Sequence, residues 1–227
     1  MKINMNTKLA FFSFLLVFIL FSCKKENTFT NYKFADKPDT IVCDGLNNAL
    51  FKEALYSLED DLLVFHQKTN PKTSLTQAYS QFIRLSIYGR LKYEDIVSEH
   101  TLSVFEALKN ESDLWDANNT KSHLNYNSAI IQCISKNIKD EHLKTTFNAL
   151  LSTNSMSPKL FGSPLMNKYR NALNDKYLAT YIALDLFYAK LFDIDFSKVN
   201  LEKPEQKVDF NKVPQTPQPD PHAGHNH

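Results

Sequence analysis

Asp185 stands in the stretch YLATYIALDLFYAKLF, residues 177–192, with Thr180 and Lys190 as its only clearly non-apolar companions. At helical spacing Leu178, Ile182, Ala189 and Phe192 share its face. A carboxylate buried there without a partner loses its hydration or takes up a proton, so an arginine or a tyrosine hydroxyl should meet it. The arginines are Arg84, Arg90 and Arg170, and Arg84, set among apolar residues of a helical stretch, is the expected partner. Such an acid can handle protons or bind a ligand, but a structural ion pair or hydrogen bond is the favoured reading.

His222, His225 and His227 in the terminal PHAGHNH offer a different chemistry. Imidazole nitrogens suit Zn²⁺, Ni²⁺ and Cu²⁺, and binding would be lost as the rings protonate below about pH 6. The other histidines lack ligand spacing: His66, His100, His123 and His142 have no histidine or glutamate three or four residues before them. His100 falls in the stripe Tyr93, Val97, Val104, Leu108 and reads as a satisfied core histidine. Glu59, Asp60 and Asp61 point in different directions around a helix, cannot act as a carboxylate pair, and read as a solvated face. GxSxG, Walker, GxGxxG and CxxC patterns are absent from the sequence, so catalysis is not expected.

The elements that position these residues read as helices, because no stretch alternates apolar and polar residues over strand lengths. Asp44 can cap a first helix carrying Leu46, Leu50, Ala54, Leu58, Leu62 and Phe65. Ser74 with Gln77 forms a capping box for a second, ending near Gly89. A third runs from near Tyr93 to Lys109, a fourth follows Ser122, and a fifth follows Asp140. Ser163 as cap and Pro164 as first helical residue open a long sixth reaching about Phe192. Its last sixteen residues are apolar almost all round, which places it at the centre. The expected fold is an all-α single bundle of about six helices over residues 42–198.

Both ends differ from this body. Leu9 to Phe21 is apolar except for Ser13, thirteen positions where a bilayer crossing needs about twenty. Lys2 and Lys8 precede it, and Leu20, Ser22 and Cys23 follow. This stretch resembles a bacterial lipoprotein signal. The resemblance implies that residues 1–22 are removed and that Cys23 becomes the acylated first residue, held permanently to a membrane. Lys24 rather than aspartate after the cysteine implies the outer membrane, its periplasmic or outer face left open. Residues 23–41 are expected to be a tether. The proline-rich residues 199–227 are expected to be a disordered tail. Asp39, Thr40 and Ile41 also resemble an acceptor for O-linked sugar on Thr40 in Gram-negative envelope proteins.

Without Lys2 and Lys8 the chain carries 24 basic and 25 acidic residues, a net charge of −1. It lacks the basic surplus that attracts phosphate backbones, which argues against nucleic acid as a partner. Cys23 assigned to lipid leaves Cys43 and Cys133, which in an oxidising compartment form either a disulfide or two separate buried thiols. The expected role is a non-catalytic binding or assembly module presenting one face to an envelope protein or a ligand. A metal-handling lipoprotein using the terminal histidines is the alternative.

Overall fold

Asn47, rather than Asp44, opens the first helix, its side chain accepting the Leu50 N–H at 3.2 Å. The computed structural model describes residues 29–111 and 113–198. Helix α1 is Asn48–Gln67, and α2, Leu75–Ile87, begins with the Ser74–Gln77 capping box. The third segment divides: Tyr93–Asp95 makes one 3-10 turn, and Ser98 then caps α3, Glu99–Lys109. Helix α4, Ala129–Asn137, is capped by Ser128 and not by Ser122, which lies in the preceding loop. Asp140 caps α5, Glu141–Ser152, and the Leu143 N–H followed by Lys168 and Asn171 holds its carboxyl below the usual range.

The long sixth helix is in fact several pieces. Ser157 and Pro158 supply an earlier cap and first residue for α6, Pro158–Asn167, leaving Pro164 inside it. A short α7, Asn171–Asn174, follows, and Asp175 caps α8, Lys176–Ile182. From α8 the chain runs unbroken through a π turn, Ala183–Tyr188, into α9, Ala189–Leu191. The described residues are thus all-α, with one isolated bridge, Trp115–Leu124.

The central placement of the last apolar run holds. Residues 178–189 are all buried, and α8 with its π turn packs against α1, α2 and α4. Phe147, Phe161 and Tyr181 meet edge to face with centroids 4.9 to 5.4 Å apart, tying α5, α6 and α8 together.

Helix α6 approaches α2 so closely that Gly162 has no room for a side chain. A Cβ there would lie 2.7 Å from Ile87 Cδ1 and Cγ1. Gly162→Ala is therefore expected to lower the urea-unfolding free energy by about 1–3 kcal/mol through overpacking.

The expected tether does not behave as one over its described part. Phe34 and Ile41 are buried in the body, and Phe29 packs against the core. A period-based reading misses such a segment because it docks through backbone and isolated aromatic contacts. Cys43, just past it, is joined to Cys133 on α4 by a disulfide.

Candidate functional site

Asp185 has no accessible surface, and hydroxyls surround it. Ser122 Oγ donates to Oδ1 at 2.5 Å, Tyr181 OH to Oδ2 at 2.7 Å, and Tyr126 OH lies 3.1 and 3.2 Å from the two oxygens. Burial pushes the Asp185 carboxyl up, while the three hydroxyls oppose that shift. Burial, then the charge of Asp185, pushes the Tyr126 and Tyr181 hydroxyls up as well. With Asp185 ionised, all three hydroxyls donate to it.

The arginine expected beside Asp185 is not there. Arg84 is exposed on α2, where it lines an open groove of about 500 Å³ with Gln77, Gln81 and Tyr169. Its stretch is apolar on one face only, and Arg84 falls on the other. Tyr181, one turn before Asp185, is not named by the sequence reading, although the four-residue spacing could have found it. Ser122 and Tyr126 sit some sixty residues away and carried no local signal.

The π turn has its own polar accounting. Widening from four- to five-residue bonding leaves carbonyls short of a helical donor, and Tyr93 OH donates to Leu186 O at 2.9 Å. Burial pushes the Tyr93 hydroxyl up to about 12.

In front of Asp185 lies a shallow bowl of about 220 Å³ between the loop after α3 and the end of α5. Tyr126 and Met156 belong both to its wall and to the buried cluster, since Tyr181 OH also lies 3.9 Å from Met156 Sδ. The loop is held by its own bonds: Asp116 N–H donates to His123 O at 2.8 Å and Asn125 N–H to Leu114 O at 2.9 Å. Asn119 Oδ1 accepts from Lys121 and Ser122 N–H while its Nδ2 donates to Leu124 O. On the facing rim Asn154 (φ 52°) ends α5 in the left-handed conformation, its N–H donating to Leu151 O and that of Ser155 to Leu150 O. Asparagine tolerates this cap position better than most residues with a side chain.

The second buried charge centre joins the segment preceding α1 to α1. Glu53, 1 % exposed, accepts Lys33 N–H at 2.7 Å and Phe34 N–H at 3.0 Å, and lies 2.6 Å from His100 Nε2. His100 therefore has its polar partner, with Phe34 edge-on to its ring. The acidic run on α1 is not a solvated face. Glu59 is buried with Lys176 and Tyr79, and Asp61 is buried against Ser98 N–H; Asp60 alone is half-buried, and it pairs with Lys33.

Thr40 is buried with its hydroxyl covered and lacking a hydrogen-bond partner, so the folded surface offers no place for the O-linked sugar. Cys23, His222, His225 and His227 lie outside the described residues. Among the described residues no group of three histidine, cysteine, aspartate or glutamate side chains could hold a metal ion, and no helix is long and apolar enough to cross a membrane. No protein-family model matches the chain, and no curated protein or solved structure matches it either.

Proposed function

We propose that this chain is an exported envelope lipoprotein, acylated at Cys23 on the outer membrane, whose helical body is a non-catalytic binding module. The observation that carries this reading is the fixing of the anchor-side segment. Glu53 bolts the backbone of Lys33 and Phe34 to α1, Lys52 Nζ donates to Ala35 O at 2.8 Å, and Tyr56 OH donates to Pro38 O at 3.0 Å. Fixing these residues to α1 makes the strap part of the body from Lys33 onward, which suits presentation of a surface close to a membrane.

Two further facts support it. The Cys43–Cys133 disulfide fits an oxidising compartment and leaves Cys23 free for lipid. Asp185, the side chain most suited to proton chemistry, is fully engaged by Ser122, Tyr126 and Tyr181 in a closed interior.

Metabolic labelling with a palmitate analogue tests the anchor: label on the wild type and none on Cys23→Ala supports it, and an unlabelled wild type removes it. Glu53→Gln tests the strap. Loss of the charge-assisted bonds is expected to cost about 1–3 kcal/mol locally, so hydrogen exchange at Lys33 and Phe34 should accelerate about fivefold or more while amides in α2 stay protected.

A further inference from the structure

We infer that the bowl between the loop after α3 and the end of α5 is a subsite for one ring of a neutral saccharide. This names the ligand class for the binding module proposed above and rests on that reading. The chemistry of the rim points there. Asn118, Asn127 and Asn154 are exposed on the bowl, and their side chains make no hydrogen bond to another described residue. A carboxamide donates and accepts at once, which matches a ligand whose neighbouring hydroxyls do the same. Thr120 adds a hydroxyl of the same kind.

Charge and shape narrow the class. Lys121 and Asp116 contribute one charge of each sign to the lining, so the bowl has no excess to attract an anion or a cation. Tyr126 and Met156 are its larger apolar side chains, too little surface for a lipid chain. Its volume of about 220 Å³ falls below the range of about 300–1,000 Å³ typical of whole small-molecule sites, which fits one ring of a longer glycan.

The rim is also preformed. The bonds of Asn119 and the Trp115–Leu124 bridge hold one wall, the α5 cap holds the other, and Asp185 fixes Tyr126 from behind. A ligand therefore meets a backbone and a Tyr126 ring already in position, which limits the ordering entropy of binding to the free carboxamide side chains.

The test uses the full-length protein in a zwitterionic, non-glycosidic detergent. Saturation-transfer NMR is run with maltose, cellobiose and chitobiose, and with inorganic phosphate as a charged control. Transfer to at least one disaccharide, and a tenfold or greater weakening in Asn127→Ala/Asn154→Gly at unchanged thermal stability, are expected. Glycine at 154 keeps the left-handed cap while removing the amide. No transfer to any of the three sugars, or transfer undiminished in the double variant, would overturn the proposal. Sugar binding by a chain found to be unacylated would sink the anchor and leave this site standing.

Discussion

Asp185→Ala is expected to lower the urea-unfolding free energy by about 3–5 kcal/mol. Three hydroxyls, from Ser122, Tyr126 and Tyr181, now share one buried acceptor. Removing it leaves buried donors unsatisfied at about 1–3 kcal/mol each, partly relieved where they turn to one another. The packed helix around the vacated site cannot collapse to fill it, which adds a cavity penalty. Equilibrium urea unfolding followed by circular dichroism measures the loss. A change under 1 kcal/mol would mean that the cluster contributes little to the fold.

Asp185→Asn separates shape from charge, and its effect depends on pH. Burial raises the folded carboxyl above its unfolded value of about 3.9, so the folded state keeps a proton over a range where the unfolded state has lost it. Stability from this group is full below about pH 4 and declines as pH rises through the folded value. The asparagine variant lacks that slope. The advantage of the wild type over Asp185→Asn should therefore be larger at pH 4 than at pH 7. Asp61, also raised by burial, is common to both proteins and cancels in the difference.

Cys43→Ser, or reduction of the wild type, gives the second large effect. The bridge spans 90 residues, and in the chain-entropy picture its loss lowers stability by about 4–5 kcal/mol. It also ties the segment preceding α1 to α4, with Tyr177 OH on α8 adding a bond to Val42 O at 3.3 Å. Reduction should therefore shift the urea midpoint for the whole body and loosen the segment before the helices melt. An unchanged midpoint in dithiothreitol would contradict this.

The helices were legible where capping and period agreed. Ser74–Gln77 and Asp140 are recognisable starts because cap chemistry is local, and the near-continuous apolar run of 177–192 could only be central. Ser122 misled because it has the right type for a cap, yet its hydroxyl serves Asp185 across the fold. Ser163–Pro164 misled because Ser157–Pro158 offers the same signal six residues earlier.

Charged side chains were the least legible. Glu53, Glu59 and Asp61 look like surface residues on α1, and only their partners on the segment preceding α1 and on other elements explain their burial. The π turn left no mark in composition. The bowl arises where a loop and a helix end approach across some thirty residues, so its polar side chains read from sequence as ordinary turn residues.

In the proposed reading the finished molecule begins at Cys23 and is held to a membrane by lipid. Intact mass spectrometry of protein extracted from the envelope tests this most directly. The expected mass is that of residues 23–227 carrying acyl groups and two hydrogens lighter for the bridge. A chain retaining Met1, or one starting at residue 23 without lipid, would contradict it.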